Sequence, residues 1–194
     1  MLVDQAEKLE NLIVEKMKAL VVGNGMDPKT TVGPIISDKA GQKIMSYIES
    51  AVAEGATIKF GGKKLSGGEF DKGFYIEPTL ITDVTPSMKV AVDEIFGPVL
   101  VSIKVKSYNE ALRVANDSKY GLAASIFTDS MEFMYDFMQN MQSGMVHVNH
   151  GTVTDGNMPF GGVKNSGLGN FSKGRTNKDF FTTLKVVYTK YSVN

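Results

Sequence analysis

The segment from Val99 to Asn149 constrains the fold more tightly than any other. Val99 to Val105 is an apolar run of strand length. Ser107-Tyr108-Asn109-Glu110 follows with the spacing of a capping box, where a hydroxyl and a carboxylate three residues apart satisfy the free N–H groups at a helix start. A helix is therefore expected to about Asp117. Gly121 breaks the chain, and Leu122 to Phe127 reads as a second strand. Thr128 or Asp129 caps a second helix to about Gln142. Gly144 closes it, and Met145 to Asn149 reads as a third strand. Strand, helix, strand, helix, strand implies right-handed crossovers and a parallel sheet, so the expected class is α/β. The methionines at 131, 134, 138 and 141 share one helical stripe. Core packing accounts for them better than a cofactor role, because thioethers fill irregular gaps.

The chain before this segment is mixed. Asp4 to Leu20 has an amphipathic helical pattern, with Leu9, Leu12, Ile13, Met17 and Leu20 on the stripe expected to be buried. A second helix is expected from about Asp38 to Glu54, capped by Ser37 or Asp38. Its inner face holds Ile44, Tyr47, Ile48, Ala51 and Val52, and Gly55 follows in a left-handed C-terminal cap. Thr57 to Phe60 alternates as a strand and ends at Gly61-Gly62. Ser66 to Gly73 is a polar, glycine-rich loop. Phe74 to Thr79 and Leu80 to Val84 read as extended, interrupted by Pro78. Neither glycine cluster ends in the Gly-Lys-Ser/Thr of a phosphate loop.

Two loops have the composition of ligand sites. Asp93-Glu94-Ile95-Phe96-Gly97-Pro98 sets a carboxylate beside an aromatic ring at the entrance to the first strand, and Pro98 stiffens it. A carboxylate accepts hydrogen bonds from paired hydroxyls, and a ring packs on a flat ligand. His150 to Gly169 carries six glycines after the last strand, at the carboxyl edge where open α/β sheets bind ligands. Pro159-Phe160 plants an aromatic wall inside it. The tail, Phe181 to Tyr191, alternates as a long strand that needs a partner, in this chain or in another.

Composition excludes several classes. Twenty-one basic residues balance twenty-one acidic ones, so no net field draws nucleic acid or an anionic membrane. No apolar run has the length of a membrane span, and the N-terminus lacks the pattern of a signal peptide, which makes a cytoplasmic location the default. A chain of 194 residues is most simply one domain. There is no cysteine, hence no disulfide, no thiol nucleophile and no thiolate ligand. The two histidines, His147 and His150, are too few for a zinc site, and on a strand their odd spacing would send them to opposite faces. No metal is expected.

Several separate stretches resemble one family, the NAD(P)-dependent aldehyde dehydrogenases. Glu94-Ile95-Phe96-Gly97-Pro98-Val99 looks like its nicotinamide-ribose signature. Ala115-Asn116 with Tyr120 to Thr128 is similar to its "AN…YGLAA…FT" stretch. Gly144 to Asn149 resembles the strand leading to its substrate pocket, and Pro159 to Gly169 matches its "PFGGxKxSGxG" loop. Gly33-Pro34, Gly55-Ala56, Gly61-Gly62 and Glu77-Pro78-Thr79 match more weakly, in the family's order. Together they cover nearly the whole chain. Family members are more than twice this length and begin with a cofactor domain, followed by a glutamate base and a cysteine nucleophile. The resemblance covers only what lies after that cysteine.

The resemblance implies an incomplete parallel-sheet catalytic domain over residues 1–180 and a C-terminal oligomerisation strand and tail over 181–194. It implies NAD or NADP as cofactor, held here only on the nicotinamide-ribose side, with Glu94 accepting from the ribose hydroxyls and Phe96 packing near the nicotinamide ring. Phe160 would line the aldehyde channel, with Asn149, His150 and Thr152 at its wall. The family reaction needs a thiolate to attack the aldehyde and a base to activate water. Neither Ser125 nor Ser166 lies in a triad pattern that would replace the thiolate, so the isolated chain is expected to be inactive. Gly169-Asn170-Phe171 stands where the family usually has Gly-Arg-Glu, which leaves Asn170 to Gly174 unassigned. Three readings remain open: an inactive portion of an aldehyde dehydrogenase, one chain of a two-chain enzyme completed by an N-terminal partner, and a non-catalytic assembly chain. A small aldehyde substrate and a homo-oligomer or complementing chain are the expected partners.

Overall fold

The structure, a computed structural model, describes residues 1–191. The chain divides into two compact units, Met1–Ala111 and Leu112–Asn194, rather than the single domain its length suggests.

The first unit contains helices α1 (Val3–Lys18), α2 (Asp38–Ala53) and the short α3 (Lys89–Val92), with strands β1 (Thr57–Phe60), β2 (Thr79–Thr82) and β3 (Val99–Val101). The sheet order is β1-β2-β3. β1 runs antiparallel to β2 with Ile58 opposite Ile81, and β3 runs parallel to β2 with Leu100 opposite Leu80. The central strand β2 is buried at all four residues, as a strand paired on both edges and covered by a helix should be. Ile44, Tyr47, Ile48 and Ala51 of α2 form one core with Ile76, Ile81, Val84, Val90 and Ile95. The Ser37 hydroxyl caps α2 by accepting from the Ala40 N–H at 3.2 Å. Gly41 has no alternative residue there: a Cβ would run into the Phe74 ring. Gly55 takes the left-handed conformation at φ +98° just after the helix. Val52, placed on the inner face by its spacing, is exposed.

Helix α1 corrects a larger expectation. Leu9, Leu12 and Leu20 are exposed, and its buried residues are Ala6 and Glu10. A buried carboxylate is tolerated only when paired. Glu10 accepts from the Ser102 hydroxyl at 2.8 Å and the Lys59 ammonium at 3.1 Å, with Lys104 at 4.0 Å. A polar anchor therefore fixes the helix with Leu9 and Leu12 outward and Ile13 and Met17 only half-buried, which periodicity alone cannot foresee. The run Val99 to Val105 also departs from one continuous strand. β3 ends at Val101, and Val105 pairs instead with Leu2 in an isolated parallel bridge.

Helix α4 (Tyr108–Asn116) starts on the expected box: the Ser107 hydroxyl accepts from the Glu110 N–H at 3.2 Å, and the Glu110 carboxylate accepts from the Lys106 N–H at 2.7 Å. The second unit adds β4 (Tyr120–Gly121), β5 (Ala123–Ile126), α5 (Met131–Asn140), β6 (Met145–Val148), β7 (Val163–Lys164) and α6 (Asn177–Phe181). β5 and β6 are parallel, with Ala123 opposite Met145 and Ser125 opposite His147; β4 and β7 form an antiparallel pair. The crossover of the sequence reading is thus present between β5 and β6. The first strand of the rhythm, β3, pairs with β2 instead of joining them. Ser130, not Thr128 or Asp129, caps α5, accepting from the Phe133 N–H at 3.3 Å. Phe137 is the buried residue of α5, with Met134 and Met141 half-buried on the same face, while Met131 and Met138 are exposed, so only part of the methionine stripe faces inward. Phe181 ends α6 rather than opening a strand. Residues 182–191 carry no strand, with Leu184 94% exposed. The end of the tail, 192–194, lies outside the described residues.

Candidate functional site

In the first unit the loop after α3 is built around one anchor. Ile95 drops into the core, so Glu94 and Phe96 on either side point outward. Gly97 is pressed on Ile44, where a Cβ would lie 2.8 Å from that side chain. The Pro98 carbonyl accepts from the Thr79 N–H at 2.8 Å, tying the loop to β2. Asp93 is held by the Tyr47 hydroxyl at 3.2 Å. Phe96 sits at φ +60° and is 78% exposed. A bulky residue with positive φ is strained, and such strain persists where the surroundings fix it and tends to mark functional loops. Among the described residues no hydrogen bond or ion pair engages the Glu94 carboxylate. Its lone pairs are free for paired hydroxyls.

In the second unit, β6 ends at Val148, and Asn149 just after it takes the left-handed conformation at φ +51°. Asn tolerates it better than most residues. Its amide locks the turn: Oδ1 accepts from the Thr128 N–H at 2.8 Å and Nδ2 donates to the Thr128 carbonyl at 2.9 Å. The turn breaks the strand alternation and brings His150 back beside His147. Their Nδ1 atoms are 3.3 Å apart and their rings stack at 5.5 Å. The expectation that the two would face opposite sides is corrected, because it assumed an uninterrupted strand. Among the described residues no group of three or more His, Cys, Asp or Glu side chains is placed to hold a metal.

The glycine loop is held from behind by its polar residues. The Lys164 ammonium donates to the Asn116 and Ser118 carbonyls at 2.7 and 3.0 Å, closing the C-terminal end of α4, where a cation is favoured. The Ser166 hydroxyl accepts from the Gly121 N–H at 3.1 Å. Phe160 and Ser172 exchange backbone bonds at 2.7 and 2.9 Å. Gly144 meets the Gly161 carbonyl so closely that a Cβ would overlap it. The loop is thereby fixed to β4 and β6, and Phe160 is carried at a set position.

In front of β6 and this loop lies a cleft of about 440 Å³, lined among others by Met145, His147, Val153, Asp155, Met158 and Phe160. A second hollow, about 190 Å³, lies along the glycine loop, and Phe160 and Phe171 line both. Of the four residues expected on the substrate side, Phe160 lines the cleft. Asn149, His150 and Thr152 are exposed and do not line it. Sequence reasoning missed His147, Val153, Asp155 and Met158. The resemblance placed the wall at Asn149, His150 and Thr152, just after the strand, whereas the lining begins again at Val153.

Residues 3–187 match the model of the aldehyde dehydrogenase family. The α-ketoglutaric semialdehyde dehydrogenase of Bacillus subtilis is 38% identical over 95% of this chain, which covers 38% of that protein. A betaine aldehyde dehydrogenase of Brucella melitensis is 38% identical over 95% of the chain, again covering 38% of the relative. Among solved structures, betaine aldehyde dehydrogenase from Staphylococcus aureus in complex with NAD+ superposes with a TM-score of 0.84 at 35% identity, over 90% of this chain and 34% of that one. The chain therefore spans about two fifths or less of the length of these relatives. No helix among the described residues is long and apolar enough to cross a membrane. The signature loop around Ile95, the parallel β5–β6 pair and the glycine loop behind Phe160 all lie within the matched span, and the chain belongs to the aldehyde dehydrogenase family.

Proposed function

We propose that this chain forms the C-terminal part of an NAD(P)-dependent aldehyde dehydrogenase, which oxidises an aldehyde to a carboxylic acid once a cysteine-bearing, cofactor-binding segment is supplied. A dinucleotide, when bound, would supply the hydride acceptor. Glu94 accepts hydrogen bonds from the nicotinamide-ribose hydroxyls, and Phe96 packs near the nicotinamide ring. Phe160 forms the aldehyde wall and excludes water from it. Asn149, His150 and Thr152 belong to the outer rim, with Asn149 setting the turn that carries the other two. The observation that carries the reading is the Glu94–Phe96 loop: an unengaged carboxylate and a strained, exposed ring, held on either side of one buried anchor. With no cysteine in the sequence, the chain alone has no thiol nucleophile.

A second reading is favoured by a separate observation. Residues 182–191 present Leu184, Val186 and Tyr188 to solvent with no strand partner among the described residues. On that reading the tail pairs with another chain, either a second copy or a complementing N-terminal chain.

The test is to mix the chain with the cofactor-binding and cysteine-bearing part of its Bacillus relative and follow NADH formation. Turnover should appear, and Glu94→Gln should raise the KM for the cofactor about tenfold, the loss of one charge-assisted bond. The melting temperature should stay unchanged, since Glu94 is exposed. An unaltered cofactor KM, or a loss of stability as large as the loss of affinity, contradicts the assignment.

A further inference from the structure

The cleft in front of β6 has a lopsided charge. Its walls are mostly apolar, from Met145, Val153, Met158 and Phe160, and Asp155 is the one carboxylate among its lining residues. No lysine or arginine lines it. The Lys173 ammonium sits over the Phe160 ring, 5.0 Å from the centroid, and Arg175 lines an adjoining hollow that shares Pro159 and Phe171; neither lines the cleft. His147 does line it, yet its Nδ1 faces His150 and its Nε2 is sealed from solvent without a hydrogen-bond partner. Neither nitrogen is presented as a donor to an anion. Asp155 is itself fixed in a tight turn: its Oδ1 accepts from the Asn157 N–H at 2.8 Å. The second carboxylate oxygen has no partner among the described residues and remains an acceptor.

We propose that Asp155 is a specificity-determining residue that makes this cleft reject carboxylate-tailed aldehydes and take apolar, uncharged ones. The inference rests on the proposed role of Phe160 as the aldehyde wall, and it adds the chemical class of the substrate. Apolar walls reward burial of a hydrocarbon or aryl body. An anionic tail entering the same space meets a fixed like charge among the lining residues, while the Lys173 ammonium stays over the Phe160 ring outside them, and like-charge juxtaposition discriminates between ligands that fit equally well. Because Asp155 is exposed, solvent and salt screen part of the effect, which limits the expected discrimination to roughly tenfold.

The test uses this chain alone, with matched methyl ketones that stand in for aldehydes without reacting with lysines. 4-Methylacetophenone and 4-acetylbenzoate are titrated at low ionic strength into protein carrying labelled methionine methyls, and shifts are followed at Met145 and Met158. The uncharged ketone should bind about tenfold more tightly, and added salt should narrow the gap. Asp155→Asn keeps the acceptor oxygen for the Asn157 N–H and removes the charge, so it should bring the two ketones to near-equal affinity. Equal or tighter binding of the carboxylate by the unaltered chain overturns the proposal. So does a preference that Asp155→Asn leaves in place, while the wall itself would stand. If neither ketone moves either methyl, the Phe160 wall and the selectivity built on it both fall.

Discussion

At the residue scale, the polar side chains that hold the loops of the second unit do so mainly through backbone groups. Asn149 is the sharpest case. Its left-handed backbone and both ends of its amide are used to fold the chain back at Thr128. Asn149→Ala loses both bonds and the tolerated conformation, and should cost about 1–3 kcal/mol in a urea titration. Asn149→Gly keeps the conformation and should cost less than Asn149→Ala. The reverse order would show that the turn conformation is not what Asn149 supplies. Gly41 tests the core of the first unit in the same way. Its missing side chain is occupied by the Phe74 ring, so Gly41→Ala should destabilise by about 1–3 kcal/mol through overpacking, despite alanine's better helix propensity. A gain in stability would contradict the contact.

At the element scale, one ion pair has a pH dependence with a definite sign. Lys104 donates to Asp83 at 2.8 Å and, with a further hydrogen bond from Thr57, holds that carboxyl below its ordinary value. A carboxyl lowered on folding contributes stability above its unfolded pKa, and this is lost as the pH falls through the lowered, folded value. The pair is largely exposed, so the contribution is below about 1 kcal/mol. Asp83→Asn should lower the urea midpoint slightly at neutral pH and leave it unchanged in strong acid. An equal shift at both pH values would show that the charge of Asp83 is not what the pair contributes.

The same scale shows what was legible. Helix α2, its Ser37 cap and strand β1 follow from local pattern, because local hydrogen bonds and one apolar stripe decide them. The outward turn of α1 does not. It depends on Ser102 and Lys59, distant in sequence, meeting Glu10. The separation of β3 from β5 escaped for the same reason: the rhythm of elements fixes handedness but not which strand a given strand pairs with. At the candidate site, Phe160 was legible from a ring planted between glycines. The clamp by Lys164 and Ser166 was not, since it acts on carbonyl and N–H groups that any sequence would offer.

At the scale of the whole molecule, much apolar surface is left uncovered. Leu9 and Leu12 on α1, Leu168 in the glycine loop, and Phe181, Leu184 and Tyr188 at the tail are all exposed. Exposed apolar side chains in this number favour association. The purified chain should therefore sediment as an oligomer, and removal of residues 183–194 should shift it to smaller species. A monomer at all concentrations would contradict this.

The proposed role gives the chain the Glu94–Phe96 loop and the Phe160 wall of an aldehyde-oxidising site and leaves the nucleophile to a cysteine-bearing segment. NAD-dependent oxidation of an aldehyde by the purified chain, alone and then with the cysteine-bearing segment added, tests it most directly. No NADH should form with the chain alone, and NADH should form once the segment is present. Sustained turnover by the chain alone would contradict it.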